Sequence, residues 1–222
     1  MNPAILKVTS KLPDSWQQSL KRYHFAKIIR RGNFITDEPE YARLSEWLNP
    51  GDWAIDVGAN IGHYTLAMSK LVGPQGRVLA LEPIPETFEL LSANCAYSSH
   101  RNITLLNAAA TSAAGVVGMA VPVQANGRNY YEAAIQEHVN GDGYHVLGVS
   151  LDSLPIPHRV ALVKIDAEGH EPSVIEGMGG LLARDKPVLI VEGSRANGLL
   201  ESLGYVSTRN DRSPNYVWQP VA

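Results

Sequence analysis

Cysteine is almost missing from this chain. Cys95 stands alone among 222 residues, which excludes an internal disulfide framework and suits a reducing compartment. The N-terminus lacks an apolar core long enough for a secretory signal. Only residues 102–127, which carry no charge, invite a membrane reading. Asn102, Asn107, three glycines and Pro122 interrupt that stretch, so strand, turn and strand in a soluble protein is the better expectation. The expected location is cytoplasmic, with no transmembrane segment.

Charge is scarce overall, at a formal net of −3, but it is unevenly spread. Residues 1–36 hold seven cations (Lys7, Lys11, Lys21, Arg22, Lys27, Arg30, Arg31) against Asp14 alone, leaving an excess of nine negative charges on the remainder. An acidic body of this kind is a poor general binder of nucleic acid. The basic head suits an anionic substrate, a membrane surface or a partner; it equally suits a solvated amphipathic helix packed on the body. Oligomeric state is left open, a dimer included.

With 45% hydrophobic residues and no obvious linker, the chain can bury a sizeable core. Residues 15–31 read as a helix with Trp16, Leu20 and Tyr23 on one face, ended by Gly32. The four tryptophans, Trp16, Trp47, Trp53 and Trp218, show no stacking spacing and read as core or edge packing. Asp37 reads as the N-cap of a helix running to Trp47, with Pro39 in its first turn. Glu38 and Glu40 then read as solvated acids at a helix start, with an approach to cofactor or substrate as the alternative.

The informative stretch follows. Residues 53–57 (WAIDV) form a short apolar strand, and Gly58, Asn60 and Gly62 crowd into one turn before a helix opening at His63. Such a turn brings bare backbone N–H groups and the positive end of a helix dipole to a ligand. His63 itself reads as a cap or surface residue. The next strand, 77–81, ends at Glu82, 26 residues past Asp56. An acid at that place is the usual holder of a ribose hydroxyl pair.

Pro85 opens a helix to about Tyr97, with Cys95 expected on its apolar face beside Phe88 and Leu91. A third strand, 103–106, ends at Asn107-Ala108. Residues 116–123 and 144–151 read as strands flanking a Gly/Asn-rich excursion (Asn126-Gly127, Asn140-Gly141-Asp142-Gly143), suited to a lid or substrate wall. Strand 160–165 ends at Asp166, and the tight loop Ala167-Glu168-Gly169-His170 precedes a helix beginning at Pro172 whose face is Val174, Ile175, Met178, Leu181 and Leu182. Strand 187–191 ends at Glu192. A short helix, 196–203, leads to a C-terminal hairpin at the sheet edge.

Alternating strands and helices predict a doubly wound, mainly parallel α/β sheet with ligands outside the strand C-termini. Asp56, Glu82, Asn107, Asp166 and Glu192 all fall at such ends and define one rim.

The ordered set of these pieces resembles a class I S-adenosylmethionine-dependent methyltransferase, and more closely the FkbM family. The resemblance rests on residues 56–62 (DVGANIG) with Tyr64-Thr65, Glu82-Pro83, Asn107-Ala108, residues 150–154 (SLDSL), residues 163–171 (VKIDAEGHE) and Glu192. It covers roughly 38–193. It implies a seven-stranded Rossmann-like sheet over 37–222, with the excursion at 111–150 and the basic segment 1–36 as a cap or substrate lid outside the match.

The implied activity is methyl transfer from S-adenosylmethionine, releasing S-adenosylhomocysteine, to a hydroxyl of a sugar, glycolipid or secondary metabolite. The expected partner is a small-molecule or glycan acceptor, anionic if the basic head meets it, and not nucleic acid. By position, Asp56, Gly58, Ala59, Asn60, Gly62 and Tyr64 would hold the methionine end. Glu82 and Pro83 would take the ribose, Asn107 and Ala108 would lie near adenine, and Asp166 is a candidate for the cofactor's amino group.

Methyl transfer to a hydroxyl needs alignment and a proton acceptor. Asp166 and His170 are the candidate bases, with Glu168 supporting either or bonding turn amides. Some O-methyltransferases hold a divalent cation between acids at the fourth and fifth strand ends, which here are Asp166 and Glu192; oxygen ligands suit such a cation, though none is expected. Two other readings share the sheet, the glycine turn and the acid: an NAD-dependent oxidoreductase and a nucleoside-binding module without chemistry.

Overall fold

The computed structural model describes residues 13–124, 127–128, 133–136 and 143–221. Lys7, Lys11, Asn126 and the 140–142 part of the excursion lie outside the described residues. Thirteen strands fall into three sheets among the described residues. The main sheet takes β1 (Trp53–Val57), β2 (Arg77–Leu81), β3 (Ile103–Leu106), β10 (Val160–Ile165), β11 (Val188–Glu192), β12 (Tyr205–Arg209) and β13 (Asn215–Pro220). Their order is β12-β13-β11-β10-β1-β2-β3. The first five in sequence run parallel, while β13 is antiparallel to β11 and to β12. The expected doubly wound sheet with its edge hairpin is therefore present, with the last strand slotted between β11 and β12.

The central strands are buried on both faces, which is why they read as continuous apolar runs. Alternation still sorts their side chains. Ala54, Val78 and Leu162 meet α2 (His63–Val72) through Met68 and Val72. Ile55, Leu79 and Val163 meet α4 (Glu171–Glu176) and α5 (Gly179–Asp185) through Val174, Ile175, Met178 and Leu182. The expected single helix after Pro172 is thus two short ones. At Gly177 the chain presses on the Thr111 carbonyl oxygen, which a Cβ would approach to 2.1 Å. Helix α3 (Pro85–Cys95) buries Leu91 against Ala59 and Ala80, with Phe88 and Cys95 packed beside it. Cys95 is the core residue expected, its thiol pushed up to about 12 by burial.

At the N-terminus the helix expected to run to Trp47 and the packing expected of Trp16 fail, while the helix expected over 15–31 is present. Residues 39–47 form only a 3-10 turn, Tyr41–Glu46, preceded by Glu40 and without a cap from Asp37. Helix α1 (Asp14–Arg30) exists, but it packs through Phe25, Ile28 and Ile29 onto Phe34, Ile61 and Leu90. Trp16, Leu20 and Tyr23 share the opposite, solvent-facing side.

The excursion supplies the second sheet, β4-β9-β5-β8, from β4 (Ala109–Ala110), β5 (Gly115–Ala120), β8 (Ala134–Gln136) and β9 (Tyr144–Val149). A two-residue ladder, β6 (Val123–Gln124) with β7 (Gly127–Arg128), completes it. Met119, Ala133 and Val146 of this layer pack on Ile84, so the layer leans over the C-terminal end of β2. No helix among the described residues is long and apolar enough to cross a membrane.

Candidate active site

Two clefts open at the C-terminal ends of the parallel strands, and Gly58, Asn60 and Asp166 line both. The upper cleft runs from Glu82 and Pro83 past Ala108 to Met119 and Ile135 of the second sheet. The lower one runs from Asp56 and Tyr64 to Lys164, Glu38 and His63.

Close approach builds the partition between them. Gly58 has φ +69°, and a Cβ there would lie 1.8 Å from the Asp166 carbonyl oxygen. Only glycine lets the β1 turn and the β10 end come that near. Asn60 also takes a left-handed backbone, φ 51°, which asparagine tolerates better than most residues. Its backbone N–H donates to Glu82 Oε2 at 2.9 Å, and Ile84 N–H donates to Oε1 at 2.9 Å. Each oxygen keeps a further lone pair. Burial pushes the Glu82 carboxyl up to about 7 against these two amides.

The remaining predicted cofactor residues divide. Ala59, Tyr64, Pro83 and Ala108 line a cleft. Asp56 lies beneath the lower cleft, accepting from Thr65 Oγ1 at 2.5 Å, and burial raises it to about 6. Gly62 faces the core: it precedes α2 at φ 96° and packs on Leu91. Asn107 is a brace, its Nδ2 donating to the Glu82 and Pro83 carbonyls at 2.8 and 3.0 Å.

At the end of β10, the Lys164 ammonium, fully enclosed, pairs with Asp166 Oδ2 at 3.0 Å. It also sits 5.3 Å over the Tyr64 ring. Burial pulls the Lys164 pKa down, but Asp166, Asp56 and Glu38 outweigh it and hold it above the ordinary lysine value. Burial opposes ionisation of Asp166, yet Lys164 and a hydrogen bond with Glu192 leave its pKa low. Glu192 moves the other way, raised first by that bond and then by burial. The pair therefore shares one proton, with Asp166 the ionised member. Carboxylate oxygens of Asp166, Glu168 and Glu192 all lie within 4.8 Å of one another.

His170 Nε2 lies 2.9 Å from the Ile135 carbonyl oxygen. A carbonyl can only accept, so Nε2 carries the proton and ties the loop to the second sheet. The turn amides expected to meet Glu168 are instead held by buried Glu171, whose Oε1 accepts from Ala167 and Gly169 at 3.2 and 2.9 Å. Glu168 stands exposed in a left-handed conformation on the cleft rim.

Of the two acids read as solvated, Glu40 is buried and Glu38 is half-buried on the lower cleft, and they share one hydrogen-bond network. Tyr64 donates to Glu38 at 2.5 Å, Asn215 Nδ2 donates to both acids, and Ser213 donates to Glu40 at 2.7 Å. Lys164 falls inside the motif 163–171, whose pattern by itself assigns it no role. A lone cation within the apolar run 160–165 was the signal, since a buried cation demands nearby acids.

Glycine turn, ribose-type acid and this strand order together define the S-adenosylmethionine methyltransferase class of nucleoside-binding folds. A profile described as the methyltransferase FkbM domain matches residues 56–205, and the chain belongs to that family. The hexuronic acid methyltransferase AglP of Haloferax volcanii is 30% identical over 142 residues, 63% of this chain and 55% of that protein. A solved FkbM methyltransferase from Methylobacillus flagellatus superposes with a TM-score of 0.53 at 17% identity, over 82% of this chain and 50% of that one. Aeropyrum pernix fibrillarin, solved with natively bound S-adenosyl-L-methionine, gives 0.51 at 14% identity over 77% and 67%. This chain spans about half the length of the first two.

S-adenosylmethionine is the cofactor that goes with this family, and the residues present fit it. Two joined clefts suit its two ends, and the Asn60 Oδ1, buried without a partner, offers an acceptor at their junction. The nicotinamide reading loses its ground.

Proposed function

We propose that this protein transfers a methyl group from S-adenosylmethionine to a hydroxyl of a small sugar-type acceptor, with Asp166 receiving the hydroxyl proton. The observation that carries this reading is the place of Asp166, at the junction of both clefts with its charge fixed by Lys164. When bound, the cofactor supplies an activated sulfonium methyl group.

The chain's own residues supply the rest. Glu82 would accept from the ribose hydroxyls, and Ile84, Met119 and Ile135 would cover the adenine from water. Glu38 and Tyr64 would bound the methionine end. Lys164 holds Asp166 ionised, and Glu192, carrying the shared proton, orients it. His170 is occupied at Nε2 and would steady the loop rather than take the proton.

An anionic acceptor is favoured by Arg195, whose guanidinium lies 3.3 Å from where a Gly169 Cβ would stand, beside the catalytic loop. It would pair with a uronic acid carboxylate, and the hexuronic acid relative supports the same class. The test is transfer of labelled methyl from S-adenosylmethionine to matched neutral and uronic sugars. Uronic acceptors should lead, and Asp166→Asn should cost ~10²–10⁴-fold in turnover with S-adenosylhomocysteine still bound. Full turnover by that variant would remove Asp166 from its role.

The three-carboxylate cluster supports a second reading, in which a divalent cation held by Asp166, Glu168 and Glu192 polarises the acceptor hydroxyl.

A further inference from the structure

Helix α1 is apolar on two sides. Its inner side is accounted for by Phe25, Ile28 and Ile29 in the core, by Gln18 Nε2 donating to the Glu86 carbonyl at 2.9 Å, and by the Arg22–Glu89 ion pair. The outer side carries Trp16, Leu20 and Tyr23 at i, i+4 and i+7, exposed by 65, 45 and 72%. The same azimuth continues through exposed Lys27 and Arg30, with Arg31 alongside. A soluble helix normally turns charge outward and keeps its large apolar residues on one stripe.

The face does not end with the helix. Beyond Arg30, Ile35 is 59% exposed and Tyr97 40% exposed. Both rim an open groove of about 480 Å³ floored by Ile29, Phe34, Leu66 and Leu71, with Lys70 at its edge. Half of the exposed large hydrophobic side chains among the described residues thus gather on this one side, interleaved with cations. Contiguous exposed apolar surface marks an interaction site.

We infer that this face docks the protein on an anionic lipid surface. Trp and Tyr, apolar in body and polar at the tip, are the side chains that settle at headgroup depth. Cations flanking an apolar stripe are the composition of helices that lie in a bilayer's interface. The charge balance singles out lipid as the occupant: residues 1–36 are strongly cationic and the remaining residues acidic, so a negative surface draws in this side and repels the rest. Phe34 stacks on His63 with ring centroids 4.1 Å apart, and His63 and Thr36 line the lower cleft. The docked face therefore borders the cofactor cleft. The inference holds whatever acceptor is methylated.

The experiment is flotation of the full 222-residue protein with vesicles of phosphatidylcholine alone and of phosphatidylcholine mixed with phosphatidylglycerol. Binding is expected to the mixed vesicles and to be suppressed by salt. The triple variant Trp16→Ser/Leu20→Ser/Tyr23→Ser should lose at least ~10-fold. Lys27→Gln/Arg30→Gln/Arg31→Gln should lose roughly 100-fold. Both should keep native S-adenosylhomocysteine affinity, which reports that the fold is intact. Failure to float with either vesicle, equal binding to both, or undiminished binding by the first variant would overturn the inference. So would a native dimer that the first variant dissolves, which would assign the face to a second copy.

Discussion

Lys164 Nζ and Asp166 Oδ2 stand 3.0 Å apart, Lys164 on β10 and Asp166 one residue past its end, two positions on and so on the same side. The ion pair is an outcome of strand periodicity, with β1 and Tyr64 closing around it.

Removing the cation should therefore cost more than a packing defect. Lys164→Met leaves buried Asp56 without its cation and Asp166, open to the clefts, without its partner; loss of one partner of a fully buried pair costs ~3–5 kcal/mol, and the exposure of Asp166 puts this loss below that range. Burial already raises Asp56 to about 6 against the pull of Lys164, so without that cation the folded-state pKa of Asp56 rises further above the unfolded value. The variant should then regain stability as pH falls and lose it as pH rises. Denaturant unfolding at pH 5.5 and pH 8 checks this; an equal deficit at both would count against the charge argument.

Cofactor affinity should depend on pH through Glu82. Burial pushes its carboxyl up to about 7, and ribose hydroxyls donate more strongly to the ionised form, so binding lowers that pKa. Affinity for S-adenosylhomocysteine should be full above pH 7 and fall below it, approaching ~10-fold per pH unit. Calorimetric titration across this range, with Glu82→Ala as control, should show the slope only in the native protein.

Gly58→Ala should abolish cofactor binding and lower the melting temperature. The new methyl group would meet the Asp166 carbonyl at a backbone conformation that itself costs ~1–3 kcal/mol outside glycine. A variant that melts and binds normally would mean that β1 and β10 part more easily than their packing indicates.

Methyl transfer should be indifferent to chelator. Lys164 and the proton shared with Glu192 already compensate the acidic cluster. Activity lost in chelator and restored by magnesium would instead favour the cation-bound reading.

The parallel strands and the polar residues that close them were legible because they follow from local pattern. Buried parallel strands spell continuous apolar runs, and a polar residue closing such a run marks its C-terminal end. What stayed illegible depends on partners far off in sequence. Glu40 meets Asn215 across 175 residues, so nothing near either residue announces burial. Gly177 breaks a helix of good periodicity because Thr111 presses from another layer. The Trp16 stripe has the right spacing for packing, but Phe25, Ile28 and Ile29 hold the core side. Histidine is a residue type suited to a base, yet the Ile135 carbonyl that occupies His170 arrives from the excursion.

The Glu38–Glu40 latch on Ser213 and Asn215 has a consequence for how the protein comes into being. One wall of the lower cleft, at Glu40, is fastened by Asn215, which is made 175 residues later. A nascent chain halted before β13 would hold the glycine turn, Glu82 and Asp166, but its methionine-side wall would be unfastened. Closures between such distant partners are slow to form. Competence to hold the cofactor would thus switch on only once β13 has been made, and a product terminated before it would sequester little of it.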